Sequence, residues 1–81
     1  MSLPRDLSGN RLASLLGRFG YQITRQTGSH MRLTSALQGS QHHVTVPQHK
    51  ALRVGTLHAI LSDVAAYLQK PVEELKKELF G

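Results

Sequence analysis

The hydrophobic period changes twice along this 81-residue chain, and that switch leaves few ways to fold it. Leu12, Leu15, Leu16 and Phe19 recur at i, i+3, i+4 and i+7, one face of a helix. Ser8 stands where an N-cap belongs, and Gly20 where a helix closes in the left-handed conformation. From Tyr21 the period drops to two. Tyr21–Arg25 alternates apolar and polar, Thr27-Gly28 reads as a turn, and Ser29–Thr34 alternates again. Ser35–Gln41, with Gly39 and Ser40, reads as a loop. His42–Val46 is a third strand, ended by Pro47, which cannot donate to a ladder. The helical period then returns in Leu57, Ile60, Leu61, Val64 and Leu68. Thr56 is the expected cap of this second helix, and Gln48–Gly55 its basic approach. Pro71 suits the first position of a third helix. Glu73 and Glu74 precede Lys76 and Lys77 there, the order the helix dipole favours, and Val72, Leu75 and Leu79 form its apolar face.

The order α-β-β-β-α plus a terminal helix predicts an α+β two-layer sandwich, three strands in meander with helices on one face. One domain should span 1–81, with a core over about 8–68 and a helical extension over about 69–81. Alternation assigns Tyr21, Ile23, Met31, Leu33, Val44 and Val46 to the core side of the sheet. It assigns Gln22, Thr24, His30, Arg32, Thr34, His43 and Thr45 to the open side.

Charge narrows the function. Ten lysines and arginines stand against five acids, for a net charge of +5. No acid falls between Leu7 and Ser62, a stretch that holds Arg11, Arg18, Arg25, Arg32, Lys50, Arg53 and all five histidines. An acid-free basic body points to a polyanion, nucleic acid first, although a basic pI can also serve solubility alone. The four-Arg spacing 11, 18, 25, 32 imitates a heptad, but Gly20 and the strand pattern after it break any continuous helix. The chain has no cysteine, so disulfides and thiolate metal sites are excluded. No apolar run approaches the roughly 20 residues that span a bilayer. Met1-Ser2-Leu3-Pro4-Arg5-Asp6 lacks the apolar centre of a signal peptide, so the expected compartment is the cytoplasm.

His30 is the leading candidate for chemistry. It follows a Gly-Ser turn, starts a strand and faces outward beside Arg32. RNA cleavage needs a base for the 2′-hydroxyl proton and a cation for the growing phosphate charge. An imidazole with an ordinary pKa near ~6.5 suits the first task at neutral pH, and a guanidinium suits the second. A solvated surface histidine is the plain alternative. Lys50 and Arg53 flank the start of the second helix, where backbone N–H groups favour an anion; an ordinary solvated loop fits as well. Arg25, His43 and His49 complete the set of candidate RNA contacts. His42 and His43 are adjacent on a strand and point to opposite faces, and no carboxylate or thiolate stands near them, so no metal site or cofactor is expected. His58 lies off the apolar stripe of its helix and reads as a surface residue. Phe19 and Tyr21 read as core, which leaves no aromatic pair for base stacking on the open face.

Gly28-Ser29-His30, then His43-Val44-Thr45-Val46-Pro47 with His49, then Gly55-Thr56-Leu57 with Ile60-Leu61, together resemble the HicA toxin family over about residues 8–68. A first helix ending in Phe19-Gly20-Tyr21 fits it too. The resemblance implies a double-stranded-RNA-binding-domain-like fold. It implies an mRNA interferase that cleaves RNA without a metal and so blocks translation, and a HicB antitoxin that covers the active site. The family's catalytic histidine maps to His30; roles for Arg32, Lys50 and Arg53 are inferred from charge. Two features depart from the pattern: Thr27 stands where a basic residue often precedes the motif, and Gln69–Gly81 extends past the usual end. Two other functions stay open, a non-catalytic double-stranded-RNA-binding module and a protein-interaction subunit without RNA affinity.

Overall fold

Ser8 opens the first helix as predicted: its Oγ accepts the N–H of Arg11 at 3.0 Å and caps α1, Gly9–Leu16. The computed structural model describes residues 3–81, so Met1 and Ser2, part of the segment read for a leader, lie outside them. A single 3-10 turn, Gly17–Phe19, continues α1 and ends at Gly20, whose φ of 81° only glycine adopts freely. The strands are β1, Gln22–Thr27, β2, His30–Ser35, and β3, His42–Pro47. They form one antiparallel sheet in the order β1-β2-β3. Two helices follow, α2, Val54–Leu68, and α3, Val72–Phe80. The shape, 32 × 32 × 17 Å, is that of two layers, one of helices and one of strands.

The core lies between them. Leu12 and Leu16 of α1, Met31 and Leu33 of β2, Val46 of β3, and Leu57, Leu61 and Val64 of α2 are almost wholly buried. Leu75 and Leu79 of α3 join the same cluster, so the terminal helix shares this core. Lys70 sits 5.0 Å from the Phe19 ring and pairs with Glu78 at 2.6 Å, while Arg18 donates to the Glu78 carbonyl at 2.6 Å. These contacts tie α3 to the end of α1.

A four-residue polar cluster braces the far end of the sheet. The buried Tyr21 hydroxyl lies 2.6 Å from His42 Nδ1, and His42 Nε2 lies 3.1 Å from Asp63. With Asp63 accepting at Nε2, Nδ1 of the neutral ring is left to accept the Tyr21 O–H. Burial first, then Tyr67 and Asp63, push the Tyr21 phenol well above its ordinary value of 10.0. Tyr67 stacks on His42 at 4.7 Å, receives the Gln38 N–H at 2.9 Å and reaches the Ser40 carbonyl at 2.5 Å. That holds the Ala36–Gln41 loop against α2.

Several boundaries differ from expectation. The alternation predicts Ile23 in the core, yet it is 53% exposed. It pairs with buried Leu33 and so points to the helix side, but β1 is an edge strand that the helices hardly cover. Tyr21 is buried as predicted but precedes β1 instead of starting it. Pro47 is the last paired residue of β3, opposite His30, a position an edge strand allows. Helix α2 begins two residues before the expected cap: Arg53 is the N-cap, in extended conformation with no side-chain cap bond, and Thr56 lies inside the first turn. Pro71 is the N-cap of α3, one residue earlier than the first-turn position predicted for it.

Candidate functional site

A two-residue hairpin sets the position of His30. Gly28, at φ 58°, and Ser29 join β1 to β2, and a glycine with positive φ at the first loop position is the signature of a type II′ turn. His30 is thus the first residue of β2, paired with Thr27 on one side and Pro47 on the other. It is exposed, and its ring has no hydrogen-bond partner among the described residues. The backbone below it is firmly held. Gln48 N–H donates to Ser29 O at 2.6 Å, and Gly9 N–H donates to His49 O at 2.9 Å. Gly9 packs so closely that an added Cβ would run into the Pro47 carbonyl.

The second feature is a bulge. The β1–β2 register shifts between Ile23 and Arg25, so Thr24 is the extra residue and Arg25 pairs with Arg32. Simple alternation would send Arg25 to the helix side. The bulge turns it to the open face instead, opposite Arg32. Two guanidinium groups therefore face each other across neighbouring strands, and neither has a carboxylate partner among the described residues. Among the described residues, the carboxylates of Asp63, Glu78 and Glu73 pair elsewhere, with His42, Lys70 and Lys76. Arg32 Nε is buried and has no hydrogen-bond partner.

Two adjoining depressions follow. Arg25, Thr27, His30, Arg32 and Thr45 line one of about 230 Å³. Thr24, Arg25, Arg32, Thr34, Gln41 and His43 line another of about 270 Å³. The arginines form the wall between them. His43 Nε2 lies 3.3 Å from Arg32 Nη2, and its Nδ1 lies 2.7 Å from Thr34 Oγ1. Thr34 Oγ1 is in turn 2.7 Å from Thr24 Oγ1, which reaches the Arg32 carbonyl at 3.4 Å.

The sequence-predicted residues divide accordingly. His30, Arg32, Arg25 and His43 share the open face of the sheet. His49, Lys50 and Arg53 do not line either depression. They are exposed on the loop after β3, which leaves the sheet at the His30 end and is anchored where Leu52 N–H donates to Leu7 O at 2.7 Å. Thr24, Thr34, Thr45 and Gln41 were not singled out from sequence; the alternation placed the three threonines on this face, but their partners depend on the bulge. Among the described residues, no group of three or more histidine, aspartate or glutamate side chains gathers into a possible ligand set. No helix of the described residues is long and apolar enough to cross a membrane.

A sheet face carrying an exposed imidazole and two guanidiniums that have no carboxylate partner among the described residues can bind a phosphodiester and accept a proton beside it. The model of one protein family, described as the HicA toxin of bacterial toxin–antitoxin, matches residues 9–65. No curated protein and no solved structure matches the chain.

Proposed function

Because the chain belongs to the HicA family of bacterial toxin–antitoxin toxins, we propose that it is an endoribonuclease whose active site is the first depression, with His30 as general base. The carrying observation is that His30, Arg25 and Arg32 line one cavity on an otherwise uncovered sheet face. His30 takes the proton of an RNA 2′-hydroxyl. The 2′-oxygen attacks phosphorus, the P–O2′ bond forms and the P–O5′ bond breaks. The departing 5′-oxygen is protonated by water. The products are a 2′,3′-cyclic phosphate and a 5′-hydroxyl, with no change of oxidation state. Arg25 and Arg32 hold the non-bridging oxygens as their charge grows. Base and cation both come from side chains, so the reaction is written without a metal ion. A positioned base contributes ~10²–10⁴ in rate.

The substrate under this reading is mRNA in the cytoplasm, and the partner is a HicB-like antitoxin that shields the open face. The exposed side chains of His49, Lys50 and Arg53 extend the basic surface at the His30 end of the sheet and serve RNA association rather than chemistry. The test is product analysis on end-labelled RNA. A 2′,3′-cyclic phosphate at the cut, and loss of the cut when the nucleotide before it lacks its 2′-hydroxyl, are the expected results. Cutting that survives the missing hydroxyl rejects the mechanism. RNA that is bound but never cut leaves a passive RNA-binding module in its place.

A further inference from the structure

The ring of contacts around His43 has only one consistent assignment of protons. A guanidinium donates and never accepts, so at 3.3 Å from Arg32 Nη2 the His43 Nε2 must be the acceptor. A neutral imidazole carries one ring proton, which is then on Nδ1. Nδ1–H donates to Thr34 Oγ1 at 2.7 Å. Thr34 keeps its own hydroxyl proton for Thr24 Oγ1 at 2.7 Å, and Thr24 directs its proton to the Arg32 carbonyl at a longer 3.4 Å. The chain of donors starts at the Arg32 side chain and returns to the Arg32 backbone. Reversing the Thr24–Thr34 bond would leave the Thr34 proton without an acceptor in the ring.

We propose that His43 is a positioning residue for Arg32: as the Nδ1–H tautomer it gives its proton to Thr34, and its Nε2 lone pair holds the Arg32 guanidinium at the wall that the two depressions share. This rests on the assignment of that depression as the cleavage site. Arg25, facing Arg32 with the same charge, would drive an unrestrained Arg32 side chain away; the neutral acceptor at His43 opposes that. The same count argues against His43 as the general acid of the cleavage, because its Nε2 has no proton to give. It also distinguishes His43 from His30, whose ring is free.

Two measurements test the proposal. Nitrogen-15 NMR of the imidazole rings in the free protein reads the tautomer directly. Nδ1–H at His43 is expected in the wild type and in Thr34→Ser; Nε2–H in the wild type overturns the proposal whether or not the protein cleaves RNA. Cleavage kinetics form the second arm. His43→Phe should lower kcat/KM about tenfold, the scale of one hydrogen bond to a charged group, and should cost nothing more in an Arg32→Ala background. An equal loss in both backgrounds means that His43 acts on substrate or on the fold and not through Arg32. If the wild type does not cleave, the ribonuclease assignment fails, and the tautomer result still decides the arrangement of the ring.

Discussion

Replacing Arg25 by glutamine should weaken RNA binding without destabilising the fold. The bulge at Thr24 places Arg25 opposite Arg32 on a face without a compensating acid. In the free protein this pair is repulsive. Like charges directly opposite in an antiparallel pair cost up to about 1 kcal/mol, and exposure with salt screening reduces that to a few tenths. Arg25→Gln should therefore leave stability unchanged or slightly raised in a urea titration. Binding should move the other way. Each phosphate contact on single-stranded RNA contributes about 0.7 to the slope of log affinity against log salt. Losing one contact lowers the slope by that amount, so the advantage of wild type over variant shrinks by roughly 2.5-fold between about 50 and 200 mM salt. A 2′-O-methyl oligonucleotide, which lacks the attacking hydroxyl, keeps the ligand intact during the titration. Identical affinity and slope for both proteins would refute the placing of Arg25 in the RNA site. A stability loss above about 1 kcal/mol would show that the guanidinium holds the sheet together instead.

Three further outcomes follow from the packing. Leu75→Ala removes a wholly buried side chain of α3 and should cost about 3 kcal/mol in chemical denaturation; a loss below about 1 kcal/mol would make α3 an appendage. Gly9→Ala drives a methyl into the Pro47 backbone carbonyl and should cost at least about 2 kcal/mol, with RNA cleavage falling as the strand end opposite His30 shifts. Tyr21 favours its neutral form in the fold, so its contribution is complete below the unfolded value of 10.0 and is lost as pH rises above it. Stability should then fall by at most about 1.4 kcal/mol per pH unit from this group, and Tyr21→Phe should flatten that decline in melts above pH 10.

The parts of the fold that depend on local pattern were readable from the chain. Two apolar stripes at helical spacing, the Ser8 cap, the Gly20 stop and three alternating runs predict the element order, and the alternation puts His30, Arg32 and His43 on one face. The misreadings involve properties of two elements at once. A bulge exists only relative to a partner strand, so nothing in Gln22–Thr27 alone reveals that Arg25 turns to the open face. Ile23 points to the helix side, yet its exposure depends on how far the helices reach over an edge strand. Thr56 has the chemistry of a cap, but the chain enters α2 earlier, at an arginine that offers no capping oxygen. Alternation puts the side chain of His43 on the correct face; its role depends on a ring of contacts among side chains of three strands that only the register brings together.

The most direct test of the account is RNA cleavage by the wild type and His30→Ala side by side, with a chelator present and circular dichroism to show that both are folded. Among the described residues His30 has no side-chain hydrogen bond to lose, so the variant should fold normally, while its cleavage rate drops ~10²–10⁴-fold, the contribution of a positioned base. Equal cutting by two well-folded proteins would contradict the account and place the chemistry at another residue.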